Sequence, residues 1–290
     1  MKLLVYGAGV LGSLFSARLH EAGHDVSLLA RGERLASLRR HGVQLAEAGS
    51  PDVRRVPVPV VEHPAGGYDL TAVFVRTHQV DAVLESLAGL EGDVLFLLNW
   101  AAGAEPLGAV IGHERVLLGF GTAGGTMEGD VVRYRAPNFI TRRVATPIGE
   151  PDGRTTLRLE RIVREFRAAG INAKAEPKMD AWLKTHAAFE VPLGQAVHSA
   201  GGPVALADDP DAVRGMLRLM RQNLAGMPTP PVPGGFAALR TLPEGLLVAA
   251  LRRFLRSPTA VHSGLSDASP ATVAELDRLA EQLRAYARIR

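Results

Sequence analysis

The amino-acid sequence predicts an α/β fold in which a doubly wound parallel sheet is followed by an all-helical C-terminal domain. Up to about residue 170, short apolar runs alternate with segments of helical periodicity, the pattern of strand–helix–strand units with parallel strands. After that point nearly every segment has helical periodicity. We therefore predict two domains, residues 1–170 and residues 171–290.

The first domain opens with a strand–helix–strand unit. A short apolar run ends in glycines, a segment with helical spacing closes on Gly23, and a second apolar run follows. After Asn138 the sequence predicts an edge strand, a turn and then a helix that ends near Gly170. The main predicted strands are KLLVYGAG, HDVSLLAR, LTAVFVRT, DVLFLLNW and RVLLGFG.

The second domain is predicted to consist of helices joined by short connections. The proline-rich segment GMPTPPVPGG, residues 226–235, cannot be helical, and because helices flank it we place it within this domain rather than between domains. The segment GLLVAALRRFL is more apolar than a surface helix requires. It is either part of the core of the domain or the contact face of a homodimer, and the sequence favours neither.

Composition narrows the classes of function. A chain of 290 residues with 47% hydrophobic and 22% charged residues is globular, and the absence of cysteine excludes thiol chemistry and disulfides. The first residues predict a strand rather than a signal peptide, and no apolar run is long enough to span a membrane, so we expect a cytoplasmic protein without a membrane partner. A net charge of +3, with few aromatic residues and scattered arginines, argues against nucleic-acid binding. The histidines and acidic residues show no metal-ligand spacing.

The glycines at positions 7, 9 and 12 form a GxGxxG loop between a predicted strand and a predicted helix. In a Rossmann fold the first glycine allows a tight turn, the second lets the backbone approach a pyrophosphate, and the third lets helix and strand pack closely. The loop therefore predicts dinucleotide binding. The alternative is a tight strand-to-helix turn that binds no ligand. The predicted phosphate-binding residues are Gly7, Ala8, Gly9, Val10, Leu11 and Gly12.

The residue that ends the second strand predicts which dinucleotide binds. NAD-binding proteins have an aspartate or glutamate there to bind the ribose hydroxyls, whereas this strand ends with Ala30 and Arg31. An arginine would attract a 2′-phosphate, which favours NADP(H). Arg31 is otherwise a surface arginine, and Arg34 could share or replace its role.

Several motifs, in this order and spacing, resemble the ketopantoate reductase family. They are GAGVLGSLFSARLHEAGHDVSLLAR, VFVRTHQVDAVLESL, LLNWAAGAE, GFGTAGG and WLKTHAA. The resemblance implies an NADPH-dependent reductase with a Rossmann domain and a helical C-terminal domain. It further implies that Gly7 to Gly12 bind the pyrophosphate, that Arg31 binds the 2′-phosphate, that Asn99 lies between nicotinamide and substrate, that Gly125 passes the cofactor and that Lys184 is the catalytic lysine. Arg76 stands where the family usually has a lysine.

The substrate side of the resemblance departs from the family pattern. Trp100 replaces a glycine, and the four positions compared with polar family residues hold Ala188, Pro192, Val248 and Ala260. We expect a substrate pocket lined by these four residues to prefer a larger or less polar compound than ketopantoate. His262, close to the lost glutamate in sequence, could replace it.

Three functions follow as hypotheses. The favoured one is an NADPH-dependent reductase that acts on the carbonyl or imine carbon of a small substrate other than ketopantoate. The second is a true 2-dehydropantoate 2-reductase with a rearranged pocket. The third is a non-catalytic protein that senses NADP(H).

Overall fold

The computed structural model describes residues 1–135, 144–261 and 269–288. The chain packs into two compact units. The first comprises Met1–Val75, Gln79–Leu98 and Gly103–Met179, and the second comprises Arg76–His78, Asn99–Ala102 and Asp180–Arg290.

The first unit is built on an eight-stranded sheet with the order β12-β11-β8-β7-β6-β1-β2-β5. All neighbouring strands are parallel except β8 and β11. The predicted α/β fold class is therefore confirmed. The strands are β1 (Lys2–Tyr6), β2 (Asp25–Leu29), β3 (Val43–Glu47), β4 (Arg54–Val56), β5 (Val60–Val61), β6 (Leu70–Val73), β7 (Asp93–Leu97), β8 (Val116–Gly119), β9 (Gly125–Glu128), β10 (Val131–Tyr134), β11 (Thr146–Gly149) and β12 (Ala173–Ala175).

The central strands are buried on both faces. In β6, β7 and β8 nearly every residue is buried, which explains why these strands appear in the sequence as continuous apolar runs rather than alternating ones. The helices of this unit are α1 (Val10–Glu21), α2 (Gly32–His41), α3 (Val80–Ala88), α4 (Glu105–Ile111) and α5 (Leu157–Ala168).

A second, four-stranded sheet with the order β4-β3-β10-β9 was not predicted from the sequence. Its strands are three to five residues long, too short to establish a clear alternation of apolar and polar residues. The strand predicted after Asn138 begins outside the described residues. The first strand that the structure describes after this gap is β11. The short strand β12 was not predicted either. It returns the chain to the sheet after α5, and the division between the units therefore falls after Met179, later than the sequence-based boundary.

The second unit is helical, with the Pro/Gly-rich segment connecting two of its own helices, as predicted. The helices are α6 (Met179–Ala200), α7 (Pro203–Asp208), α8 (Pro210–Ala225), α9 (Ala238–Thr241), α10 (Glu244–Leu255), α11 (Pro258–Val261) and α12 (Pro270–Arg288). No helix within the described ranges combines the length and the apolar character needed to cross a bilayer.

Helix α10 contributes most of its apolar residues to the core of this unit. Leu247, Val248, Leu251 and Leu255 are all buried there, whereas Leu246 on the same helix is 57% exposed. Core packing thus accounts for much of the apolar character seen in the sequence. The homodimer remains a prediction.

Candidate functional site

The glycine loop between β1 and α1 has a geometry that demands glycine at two positions. Gly7 has φ +113°, and a Cβ there would lie 2.4 Å from the carbonyl oxygen of Phe74. A Cβ on Gly12 would lie 1.8 Å from the carbonyl oxygen of Gly7. Neither position tolerates a side chain. At Gly12 the first turn of α1 packs directly against the end of β1, and at Gly7 the backbone that follows β6 passes close by.

Gly9 differs from these two glycines because a Cβ there would meet nothing within 4 Å. It is the N-cap of α1, with φ −73°, and no side chain caps this helix end. The first amides of an α-helix, here those of Val10, Leu11 and Gly12, have no partner within the helix. Open space above a bare backbone at a helix N-terminus is the arrangement that accepts a phosphate, so the loop fits a dinucleotide pyrophosphate.

Arg34 holds the loop rather than facing a ligand. Its Nε donates to the carbonyl oxygen of Ala8 at 3.2 Å, one terminal nitrogen donates to Ser13 Oγ at 3.0 Å, and the other to the carbonyl oxygen of Asp130 at 2.9 Å. Arg31, in contrast, is exposed, and its one hydrogen bond within the described part of the chain is a long one, 3.4 Å, to the Tyr6 hydroxyl. Of the two arginines named from the sequence, Arg31 is the one available for a 2′-phosphate.

Gly125, at the start of β9, lies beside the same loop. A Cβ at this position would be 3.0 Å from Val10 Cγ1 and 2.7 Å from the carbonyl oxygen of Arg133. The structure thus brings together the loop and Gly125, which are more than a hundred residues apart in sequence. A side chain at Gly125 would clash with the backbone of β10 and press on the Val10 side chain at the start of α1.

In the second unit, Arg76 forms an ion pair that the sequence did not suggest. Its Nη1 donates to Glu275 Oε2 at 3.1 Å and to Thr272 Oγ1 at 2.9 Å, both on α12. The other carboxylate oxygen of Glu275 accepts from the Thr77 amide and hydroxyl at 3.4 and 3.3 Å. The position where the family has a lysine is therefore occupied by an arginine that is held by a carboxylate.

Asn99 contacts a second carboxylate, that of Glu190 on α6, to which its side-chain amide donates a hydrogen bond. Glu190 Oε2 also lies 2.7 Å from His186 Nε2. Burial would raise the pKa of Glu190, but the nearby imidazole of His186 and the hydrogen bond from Asn99 outweigh it and lower this pKa. Glu190 is therefore an ionised acceptor.

The pKa of Glu275 shifts in the opposite direction. Burial raises it, the nearby charge of Glu190 raises it further, and Arg76 and Thr77 oppose the rise without cancelling it. The folded protein therefore binds this proton more tightly than the unfolded chain does. The stability that Glu275 contributes is complete below its ordinary pKa of 4.5 and is lost as pH rises through the folded value.

Replacing Glu275 with glutamine is therefore expected to stabilise the folded protein, relative to the parent chain, by an amount that grows as pH rises. The free energy of unfolding of Glu275→Gln, compared with that of the parent chain, should increase between pH 4 and pH 8, because the amide keeps hydrogen-bonding groups without a buried charge. Urea unfolding across this pH range measures it. Glu281→Gln, a matched change at an exposed glutamate of the same helix, should show no such trend. A variant that loses stability as pH rises would show that the ion pair to Arg76 outweighs burial.

Lys184 lies in the wall of a cavity of about 280 Å³ within the second unit. Its side chain is only 9% exposed, and its Nζ donates to Asp180 Oδ2, one helical turn earlier, at 2.5 Å. The described lining includes no acidic residue. It consists of two cations, Lys184 and Arg284, the carboxamides of Gln195, Gln222 and Asn223, and the largely apolar set Val191, Pro192, Leu219, Gly226, Met227, Ala280 and Leu283.

Lys184 and the residue that holds Asn99 lie on different faces of α6. Glu190 is six residues beyond Lys184, and at 3.6 residues per turn this places it about 120° around the helix. Pro192, in contrast, shares the cavity face with Lys184. The structure therefore groups the predicted site residues into an Asn99 cluster (Arg76, Asn99, His186, Glu190 and Glu275) and a Lys184 cavity.

Of the four positions expected to line the substrate pocket, Pro192 alone is part of the described cavity wall. Ala188 is fully buried and packed with Leu224 and Met227. Val248 belongs to the core cluster of the unit, and Ala260 is fully buried. Trp100 is also buried, with 3% exposure, and His262 lies outside the described residues. No group of three or more candidate metal ligands occurs in the described ranges.

Sequence reasoning missed Glu275 and Arg284. Both lie on α12, whose charged residues resemble those of an ordinary solvated helix. The family glutamate was sought near Ala260, but the carboxylate that reaches Arg76 is Glu275, three residues after Thr272. The signal available in the sequence was this threonine and glutamate at helical spacing.

The fold and the glycine loop define a Rossmann-type dinucleotide-binding unit joined to a helical unit. A family model described as "Ketopantoate reductase PanE/ApbA" matches residues 3–142. This match, over a little under half of the chain, agrees with the resemblance that the sequence motifs carry.

Among characterised relatives, the 2-dehydropantoate 2-reductase of Mesorhizobium japonicum is 26% identical over 213 residues, which cover 63% of this chain and 63% of that protein. The 2-dehydropantoate 2-reductase of Archaeoglobus fulgidus is 30% identical over 176 residues, covering 60% of this chain and 55% of that protein. The chain therefore spans between 55% and 63% of the length of these relatives.

Solved structures match over the whole length. A ternary complex of D-mandelate dehydrogenase with NADH and anilino(oxo)acetate has a TM-score of 0.73 at 16% identity and covers 100% of this chain and 99% of that chain. The 2-dehydropantoate 2-reductase from Geobacter metallireducens has a TM-score of 0.69 at 18% identity, with 100% and 98% covered. At these identities the matches show a shared fold.

Proposed function

We propose that this chain is an NADP(H)-dependent reductase that acts on the carbonyl carbon of a small substrate less polar than ketopantoate. The observation that carries the proposal is the nearly buried side chain of Lys184, which lines a largely apolar cavity. An imine is the related alternative, because hydride transfer to the carbon of a neutral imine leaves a nitrogen that takes up a proton, as the oxygen of a reduced carbonyl does. The names of the relatives support a keto substrate.

Cofactor binding, charge stabilisation and proton donation can each be assigned to residues of this chain. The backbone amides at the start of α1 bind the pyrophosphate, and Arg31 binds a 2′-phosphate. When bound, the nicotinamide supplies the hydride. Reduction of a carbonyl places negative charge on its oxygen, and Lys184 Nζ stabilises this charge and donates a proton to the same atom. Asp180 orients the ammonium through the 2.5 Å hydrogen bond.

The lining of the cavity supports a substrate with an apolar body. Its volume of about 280 Å³ holds the equivalent of roughly nine water molecules at about 30 Å³ each, the size of a small organic acid. Lys184 is paired with Asp180, but the described wall also carries Arg284 and no carboxylate, which favours an anionic or neutral ligand over a cationic one. A hydroxylated substrate would find three carboxamides but few other polar partners.

The choice between cofactors is tested at Arg31. Arg31→Ala is expected to weaken NADPH binding by about 10- to 100-fold, because a charge-assisted hydrogen bond contributes roughly 1.5–3 kcal/mol, and to leave NADH binding unchanged. Fluorescence titration of both cofactors measures the two dissociation constants. Arg40→Ala, an exposed arginine near the other end of α2, is the matched control. Equal losses for NADPH and NADH would remove the 2′-phosphate role from Arg31.

A second candidate, 2-dehydropantoate 2-reductase itself, is favoured by the names of the relatives. Steady-state NADPH oxidation with ketopantoate separates the two. The proposal predicts a KM far above the usual enzyme range of about 1 μM to 1 mM, with a lower KM for a 2-oxo acid that carries an apolar side chain. A KM for ketopantoate within this range would favour the second candidate.

A further inference from the structure

The side chain of Asn99 has one polar atom without a partner. Its Oδ1 is buried and accepts no hydrogen bond from any residue that the structure describes. A carboxamide carries an acceptor on one side and two donors on the other. A buried polar atom left unpaired costs folding free energy, so an unpaired atom in a candidate site marks a place where a ligand supplies the partner.

Glu190 determines which side of the Asn99 carboxamide is left unpaired. An ionised carboxylate only accepts hydrogen bonds, so Asn99 must turn its NH₂ group toward Glu190. Rotating the carboxamide by half a turn would place Oδ1 against the carboxylate, two acceptors in contact. The orientation of Asn99 is therefore set by the charge of its neighbour.

Glu190 is itself held in place along one row of α6. His186 Nε2 lies 2.7 Å from Glu190 Oε2, although this oxygen receives no hydrogen bond of good geometry from the described residues. The His186 ring stacks on the Trp182 indole with centroids 5.2 Å apart and an angle of 16° between planes. The three side chains follow at intervals of four residues, so they lie above one another on one helix face. This row of side chains positions the Glu190 carboxylate, which in turn orients the Asn99 carboxamide.

We propose that Glu190, supported by His186, is a positioning residue that presents Asn99 Oδ1 as a hydrogen-bond acceptor, so that Asn99 recognises an N–H or O–H donor. The assignment rests on the proposed function for the identity of the ligand. The donor is either the carboxamide of a bound nicotinamide or a hydroxyl or protonated nitrogen of the substrate. A carbonyl oxygen, which only accepts, cannot pair with Asn99 Oδ1, which is also an acceptor.

The orientation is tested first in the cofactor-free protein. In ¹⁵N NMR spectra, the side-chain NH₂ resonances of Asn99, assigned by their loss in Asn99→Asp, should show the downfield proton shift of a bond to a carboxylate. Glu190→Gln should abolish this shift, and Glu281→Gln should leave it unchanged. If Glu190→Gln does not fold, His186→Phe, which keeps the ring stacked on Trp182, should reduce the shift. An Asn99 spectrum that is identical in the parent chain and a folded Glu190→Gln variant would overturn the proposal.

The second arm identifies the source of the donor. The probe is the 3-acetylpyridine analogue of NADP(H), in which a methyl group replaces the carboxamide NH₂. If the nicotinamide supplies the donor, the parent chain should bind NADPH about tenfold more tightly than the analogue, and Glu190→Gln should reduce this ratio to about threefold or less.

If the substrate supplies the donor, the ratio should be near one and Glu190→Gln should raise KM for the substrate about tenfold. A folded Glu190→Gln with the tenfold cofactor ratio intact contradicts the proposal. Failure of the parent chain to bind NADPH at all, with the NMR result as expected, would contradict the proposed function alone.

Discussion

Replacing Lys184 with alanine is expected to lower kcat by about 10²–10⁴, with little change in the dissociation constant of NADPH. A positioned proton donor typically contributes a factor of this size, and the ammonium is the one general acid that the described wall of the cavity offers. Arg284, which shares the wall, keeps its proton and cannot take over the role. Steady-state and single-turnover oxidation of NADPH measure the loss.

Two control variants make the Lys184 result specific. Lys178→Ala changes an exposed lysine a short distance before it in the chain and should leave kcat unchanged. Lys184→Arg keeps the charge but not a readily transferable proton, and should recover part of the lost rate at most. A full rate in Lys184→Ala would show that proton donation comes from another group.

Replacing Gly12 with alanine is expected to abolish cofactor binding and to destabilise the first unit by more than about 4 kcal/mol. The new Cβ would lie 1.8 Å from the carbonyl oxygen of Gly7, which is a backbone atom and cannot move without displacing the end of β1. Thermal unfolding together with NADPH titration measures both effects. An alanine variant with normal stability would contradict the close packing of α1 against β1.

Gly9→Ala separates ligand binding from packing. A Cβ at Gly9 meets nothing within 4 Å and the backbone φ of −73° suits alanine, so this variant should fold with unchanged stability. It should nevertheless bind NADPH at least tenfold more weakly, because the methyl group fills the space through which a pyrophosphate approaches the backbone. Gly215→Ala, an exposed glycine inside α8 with equally open surroundings, should leave binding intact. Unchanged NADPH affinity in Gly9→Ala would remove the phosphate from this loop.

The first unit was largely predictable because its signals are local. Strands buried on both faces produce continuous apolar runs. The requirement for glycine at position 12 follows from a contact with Gly7, close in sequence, although that at position 7 depends on Phe74, far along the chain. The small second sheet was not predictable, because its strands are short and two of them pair across long stretches of chain. Its position beside α1 depends on tertiary contacts that no local pattern encodes.

The candidate site was predictable where residues share one helix and not where they meet across the chain. Lys184 and Pro192 follow helical spacing, and both line the same cavity. Glu275 lies 199 residues from Arg76, and nothing in either segment indicates that the two would pair. Val248 and Ala260 were assigned to the substrate by position alone, whereas the helical unit uses them for its own packing.

The second unit holds charged residues around Asn99, although the four positions compared with polar family residues are apolar or small. Polar residues are absent from the four positions compared with the family, yet two carboxylates, an arginine and a histidine meet around Asn99. The polar chemistry of the second unit has therefore not disappeared. It is grouped around Asn99 by residues of α6, of α12 and of the segment that holds Arg76, while the Lys184 face of α6 borders a largely apolar cavity.

The most direct test of the account is the rate of NADPH oxidation by the parent chain and by Lys184→Ala, with a panel of 2-oxo acids that runs from ketopantoate to acids with bulky apolar side chains. The account predicts that the parent chain oxidises NADPH fastest with an apolar member of the panel, and that the alanine variant loses this activity while it still binds the cofactor. Tight NADPH binding without oxidation by any member of the panel, unaffected by the loss of Lys184, would contradict it and indicate a protein that senses the cofactor.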